Sequence, residues 1–241
     1  MAKVGKRYKK LLELYDLTKE YPLKEACEMV RNFQSAKFVE TVELHMKLNI
    51  DVTKPEQNIR IPIVLPHGTG KTVRVLVLTS DPDKEKEAKE AGADYVGFKE
   101  YIEKIQNGWL EFDAVVATPE AMREVGKLGR ILGPRGLMPN PKTGTVTTDV
   151  AQVVSELKKG RIEVRNDKSG NIHVPIGKTN FTTEQLYENA LTVFEEIVKH
   201  RPKGVKGQFI KTSYLTTTMG PSIKLNLADV MDTLRKRGVM A

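Results

Sequence analysis

An α/β chain of two domains, one of them discontinuous, is what the sequence predicts, and two changes of texture along its 241 residues predict it. Strands that alternate apolar and polar residues occur before residue 68 and after residue 159, the pattern of an antiparallel sheet with one wet face. Between them lie strands that are apolar almost throughout and are separated by helices, which implies a small parallel sheet covered on both faces. The middle is therefore read as an insertion. Residues 68–159 form an α/β domain, and 1–67 join 160–241 in an α+β domain with a half-exposed antiparallel sheet. The length suits two cores of ordinary size.

In chain order, Leu23, Ala26, Cys27, Val30 and Phe33 recur at helical spacing behind Pro22, a residue tolerated in a first turn, so a helix to about Gln34 is expected. From Phe38 onward Val42, Leu44, Met46, Leu48 and Ile50 alternate with Thr41, Glu43, His45 and Lys47. In that strand Phe38 shares the parity of the buried face, and Glu40 interrupts the apolar series. IRIPIVLP closes the block. VRVLVLTS, DKEKEAKEAGA, DYVGF, a further helix and FDAVVATP then alternate strand with helix. Asp149 caps a helix carrying Val150, Val153, Val154 and Leu157, which ends at Lys158-Lys159-Gly160.

Beyond it, Ile162 and Val164, then Ile172, Val174 and Ile176, flank a Lys168-Ser169-Gly170-Asn171 turn and read as a β-hairpin. Thr182 and Gln185 make a capping box for a helix with Leu186, Ala190, Phe194, Ile197 and Val198 on one face. FIKTSYLTTT and SIKLNL complete the sheet. Leu227, Val230, Met231 and Leu234 mark a short amphipathic tail helix, expected to pack on the outer domain.

Charge divides the chain in the same way. Residues 68–159 hold 14 Lys and Arg against 14 Asp and Glu; of the chain's 39 and 31, the outer segments keep 25 and 17. The whole basic surplus lies outside the insertion, so the discontinuous domain is the candidate for a polyanionic partner. One cysteine, Cys27, excludes a disulfide framework and fits a reducing compartment. The basic start lacks an apolar core, and no stretch approaches the ~20 apolar residues of a membrane span, so a cytoplasmic protein with no membrane partner is expected. Asn180-Phe181-Thr182 is read as a loop leading into a helix cap, not as a glycosylation site.

Several motifs suggest chemistry without supporting it. His67-Gly68-Thr69-Gly70-Lys71-Thr72 resembles the end of a P-loop, but Leu65 stands where the first glycine belongs, and a strand comes next where a helix should. Asp81-Pro82-Asp83 occupies the turn where a dinucleotide site needs glycines. Gly133-Pro134-Arg135-Gly136 matches the backbone-clamping loop of KH domains, with a plain turn as the competing reading. His45, His67, His173 and His200 are scattered and show no metal-ligand spacing. Neither a cofactor, a metal nor catalysis is expected.

Three stretches carry a resemblance: AKFVETVELHMKLNID at 36–51, VVATPEAMREVGKLGRILGPRGLMPNPKTGTV at 115–146, and TTTMGPSIKLN at 216–226, supported by LPHGTGK at 65–71 and RNDKSGNIH at 165–173. Together they resemble the bacterial L-one family of large-subunit ribosomal proteins, from about Lys6 to Asn226. The resemblance implies an α/β sandwich domain built from both chain ends, with a Rossmann-like domain inserted. It also implies a structural, non-enzymatic protein that binds large-subunit ribosomal RNA to form the mobile stalk near the tRNA exit site. Such a protein assists release of deacylated exit-site tRNA and represses translation of its own mRNA. It is expected to be a monomer when free.

Carried onto this chain, the resemblance places RNA contacts at Lys37, Phe38 and Thr41 and at Thr218, Met219 and Gly220. Thr216 and Thr217 flank the second group; Lys168 and His173 join on parity and charge. A hydroxyl suits phosphate or a ribose 2′-OH, glycine permits close backbone approach, and Phe38 and Met219 offer apolar surface to ribose or base. Each has a competing role, with Phe38 in the core, Met219 filling a gap and Gly220-Pro221 as a turn. Two rival functions also stay open here: an RNA-modifying enzyme that holds a nucleotide in its α/β domain, and an RNA-binding regulator that never joins the ribosome.

Overall fold

A computed structural model describes residues 5–33 and 35–239. In chain order the elements are α1 (Lys6–Leu12), α2 (Leu23–Asn32), β1 (Thr41–Leu48), β2 (Arg60–Val64), β3 (Val75–Leu78), α3 (Pro82–Glu90), β4 (Tyr95–Gly97), α4 (Lys99–Gln106) and β5 (Ala114–Ala117). They continue with α5 (Met122–Val125), α6 (Gly129–Leu132), α7 (Val150–Lys159), β6 (Arg161–Arg165), β7 (Asn171–Lys178), α8 (Thr183–Lys199), β8 (Ile210–Thr217), β9 (Ile223–Lys224) and α9 (Leu227–Lys236). Mixed helices, an antiparallel sheet and a parallel sheet bear out the α/β class. Gln34, the expected end of α2, lies outside the described residues. The chain forms two compact units, Met1–Gly70 with Val164–Ala241, and Lys71–Glu163.

In the first unit four antiparallel strands run in the order β7-β1-β8-β9. β1 is central, and its alternation is literal: Val42, Leu44, Met46 and Leu48 are buried, while Thr41, Glu43, His45 and Lys47 face outward. Ile172, Val174 and Ile176 of β7 and Leu215 of β8 extend the buried face, against which α2 and α8 pack. Burying one such side chain stabilises by about 1.5–3 kcal/mol, so the period-two pattern alone fixes which face is covered. The α8 capping box forms as expected: the Gln185 N–H donates to the Thr182 hydroxyl at 3.2 Å, and the Thr182 N–H to the Gln185 side-chain oxygen at 2.9 Å. The tail helix, α9, packs on α8.

The second unit has a parallel sheet in the order β4-β3-β5. All four residues of β3 are buried, Leu76 and Leu78 in a core with Ile102, Ile105 and Leu128, and Val75 and Val77 in one with Ala88, Val150 and Val154. Asp149 caps α7 by accepting from the Gln152 N–H at 3.3 Å, and Gly160 ends it at φ +103°, a conformation that favours glycine.

The expected hairpin at 162–176 does not form. β6 pairs with β2 and β7 with β1, leaving a single bridge between Asn166 and Ile172. The buried Asn166 side chain accepts from the Ile59 N–H at 2.7 Å, which commits this end of the segment to the chain beside β2. Between β6 and β7 the chain makes a tight turn organised by Asp167, whose carboxylate accepts from the Ser169 and Asn171 N–H groups at 2.8 Å each. Bonding from the Asn171 backbone is the main reason its carboxyl is held down to about 2. A depressed carboxylate adds stability above its unfolded value near ~3.9 and loses it as pH falls through about 2. Asp167→Asn is therefore expected to be less stable than the parent at pH 6, with the gap closing between about pH 4 and 2; urea melts of both chains across that range measure it.

Candidate nucleic-acid interface

Two loops meet at one end of the antiparallel sheet: residues 35–40, entering β1, and 218–222, between β8 and β9. Glu40 joins them. At the parity of the buried face, it is fully buried, and its carboxylate accepts from the Met219 N–H at 2.8 Å and from the Ser35 and Ala36 N–H groups at 3.4 Å. A carboxylate is tolerated inside only when bonded in this way. Thr41 and Thr218 close the junction: the Thr218 N–H donates to the Thr41 carbonyl and the Thr41 N–H to the Thr218 hydroxyl, both at 3.1 Å. Lys178 donates to the Thr41 hydroxyl at 2.7 Å, and Arg7 of α1 donates to the Ser35 hydroxyl and, at 3.0 Å, to the Met219 carbonyl.

With Glu40 taking the inward place, its neighbours turn out. Phe38 is 52% exposed, Val39 46% and Met219 47%, and Lys37 is exposed beside them. The core alternative for Phe38 is thereby overturned: β1 starts only at Thr41, and the inward position in the series belongs to Glu40. Gly220 is required by space, since a Cβ there would lie 2.3 Å from the Thr217 hydroxyl oxygen. Thr217 itself is buried with an unpartnered hydroxyl, so it shapes the loop from inside. The Thr216 hydroxyl, within 3.1–3.4 Å of the Thr217, Gly220 and Pro221 carbonyls, does the same.

Lys168 and His173 are not gathered here. His173 lies on the open face of the sheet opposite His45, with the two Nδ1 atoms 2.7 Å apart. Burial first, then the neighbouring His173, lowers the His45 pKa, with Glu43 opposing. Lys168 sits in the Asp167 turn beyond Lys47, at the far end of β1. Sequence reasoning missed Arg7 and Lys178, which no spacing distinguishes from other cations, and saw Glu40 only as an irregularity. The motifs set aside are structural: Gly68 and Gly70, at φ +65° and +71°, lie in a connection leading to β3, and Gly133 and Gly136 form the turn ending α6. Among the described residues no group of three His, Cys, Asp or Glu is placed to hold a metal ion.

By the boundaries of the two units, Lys71–Glu163 carries 15 basic and 15 acidic residues, leaving 24 and 16 in the unit that holds this junction. The model of the ribosomal protein L1p/L10e family matches residues 30–221, which contain every residue of the junction but Arg7. The chain belongs to that family. Similar curated proteins include the large ribosomal subunit protein uL1 of Fervidobacterium nodosum, 57% identical over 94% of this chain and 97% of its own. Those of Thermosipho melanesiensis and Thermus thermophilus are 56% and 54% identical, covering 95% and 94% of this chain and 98% and 99% of theirs. Within this L1p/L10e chain the match ends at Pro221, so α9 lies beyond it.

Replacing Glu40 by Gln puts an amide NH2 or a weaker acceptor against three N–H donors. The expected loss is about 2 kcal/mol in a denaturant melt, with faster hydrogen exchange at the Met219 amide; an unchanged exchange rate there would remove Glu40 as the organiser of the junction.

Proposed function

We propose that this chain is a structural constituent of the large ribosomal subunit that binds large-subunit ribosomal RNA through the Glu40 junction. The observation that carries the reading is the exposure of Phe38, Val39 and Met219 beside Lys37 on rigidly bonded loops, in the unit that holds the whole basic surplus. Large exposed side chains held by a buried network act as a prepared surface, and an apolar patch rimmed by positive charge suits ribose and base edges flanked by phosphate. Membership of the family, and relatives named as large-subunit proteins, support the ribosomal setting.

In the finer reading the RNA is the stalk region near the tRNA exit site, where the protein, a monomer when free, assists release of deacylated tRNA. The same surface takes a similarly folded segment of the protein's own mRNA and represses its translation. The work is done in the cytoplasm, on the ribosome, with neither cofactor nor membrane. Thr218 and Gly220 set loop shape and backbone approach; Thr41, whose hydroxyl accepts from Lys178, orients that ammonium toward the same edge.

A stalk ribosomal RNA fragment titrated with the full chain at several salt concentrations tests this. Phe38→Ala and Met219→Ala are each expected to weaken binding about tenfold, or ~1.4 kcal/mol, with unchanged melting because both side chains are exposed. Lys37→Ala should lower the slope of log affinity against log salt by about 0.7–0.9. Parent-like affinity in both apolar variants would sink the assignment.

A further inference from the structure

Seven residue steps separate Thr41 from Leu48, about 24 Å at ~3.4 Å per step, so β1 has a second end remote from the Glu40 junction. There Leu48 pairs with Ile210, the Asn49 N–H donates to the Phe209 carbonyl at 2.8 Å, and the Asn49 amide donates to the Lys206 carbonyl at 3.1 Å. Segment 199–211 is thus fastened to the sheet, and α9 packs on α8 beside it. Both line a pocket of about 430 Å³ with an apolar lining of Val198, Phe209, Ile210 and Met231 and two cations, Arg201 and Arg235. Arg201 donates to the Val205 carbonyl at 2.6 Å and the Gly207 carbonyl at 2.9 Å, which holds its guanidinium carbon over the Phe209 ring, 5.9 Å from the ring centre.

Cations outnumber carboxylates in the segments that form this pocket, although Asp229 and Asp232 of α9 and Glu195 and Glu196 of α8 lie in the same stretch of chain. No Asp or Glu occurs in 199–211 or in 233–239. Lys199 and Arg235 have partners in Glu195, Glu196 and Asp232, but Lys203, Lys206, Lys211, Lys236 and Arg237 are exposed, and among the described residues none has a carboxylate within ion-pairing distance. Lys168 belongs to this end too, on the turn whose Gly170 carbonyl accepts from the Leu48 N–H at 2.9 Å. The apolar lining is recessed, with Phe209 6% and Ile210 1% exposed, so it cannot enter a bilayer as a protruding amphipathic face does. A planar cation above an apolar floor, with unpaired cations close in sequence to its lining at Lys206, Lys236 and Arg237, suits an unstacked base with phosphates on either side.

We propose that this end of the unit is a second RNA contact, which takes a single-stranded segment with one base in the Arg201–Met231 pocket and its phosphates on Lys206, Lys236 and Arg237. It rests on the reading of the chain as an RNA-binding protein, and it gives α9, outside the family match, a role. Single-stranded RNA is required because a base in a duplex cannot leave its stack to enter a pocket at no cost.

The test is fluorescence anisotropy of a labelled, unstructured oligoribonucleotide of about 12 residues, a site size typical of single-strand binders, with the full chain over a salt series. Substituting Lys206→Ala, Lys236→Ala and Arg237→Ala together should weaken binding about tenfold or more and lower the log–log salt slope by about 2, at roughly 0.7 per contact. Met231→Trp, which fills the pocket, should weaken it several-fold, Lys89→Ala on the exposed end of α3 in the other unit should leave it unchanged, and a duplex of the same length should bind less well. Parent-like binding by the triple variant or by Met231→Trp would overturn the proposal, as would an equal loss in Lys89→Ala or equal affinity for the duplex. Thermal melts establish that each variant is folded. The stalk-fragment titration reads Lys37, Phe38 and Met219, and the oligoribonucleotide titration reads Lys206, Met231, Lys236 and Arg237, so either reading can fail while the other stands.

Discussion

A buried carboxylate bonded to three backbone N–H groups is the constraint on which the rest of the junction depends. Glu40 stands where the alternation of β1 calls for an apolar side chain, and moving an ion out of water costs several kcal/mol unless its lone pairs are engaged. Met219, Ser35 and Ala36 supply those bonds. The requirement runs both ways: the loops satisfy the carboxylate, and the carboxylate leaves the loops one arrangement. Phe38, Val39 and Met219 then remain in water because the inward place is taken. Exposed apolar side chains on a floppy loop would fold back on the surface; on loops bonded at their backbones they stay presented.

The same strand separates structure from contact along its length. One parity of β1 builds the core with α2 and α8, and the other lies open with Glu43, His45 and Lys47. Strand order makes this possible, since β1 has hydrogen-bonded neighbours on both sides and is not an edge that must be blunted against aggregation. The neutral unit solves a different problem. Its β3 is buried on both faces, so that central strand has no open face.

Much of this was legible from the residues. Period-two alternation located β1 and β7 and the face each would bury, FIKTSYLTTT marked β8 as sheet without naming its buried face, apolar runs located β3 and β5, and local side-chain chemistry located the caps at Asp149 and Thr182. What escaped was decided by partners distant in sequence. Ile162 to Ile176 has the local form of a hairpin, but a strand edge can be used once, and β2 and β1 claim the two halves. Phe38 fitted the buried parity until Glu40 was seen to hold it, and that cannot be known without Met219, which lies at the other end of the chain. As for the site, the residues near Thr41 and Thr218 are brought together, whereas Lys168 and His173 share only their sheet; charge and parity say nothing of distance along a strand.

The position of β1 also sets the order in which the protein can be completed. Its two neighbours, Asn171–Lys178 and Ile210–Thr217, are made long after it, while every residue of the Lys71–Glu163 unit has been synthesised before the first of them appears. The neutral unit therefore has all its partners early, and β1 waits without either neighbour for about half of translation. Glu40 waits longest, because its strongest bond is to Met219. A chain cut short anywhere before that residue has the cations of the N-terminal segment but not the finished junction, so the ability to present this surface is a property of the completed polypeptide and of no fragment that precedes it.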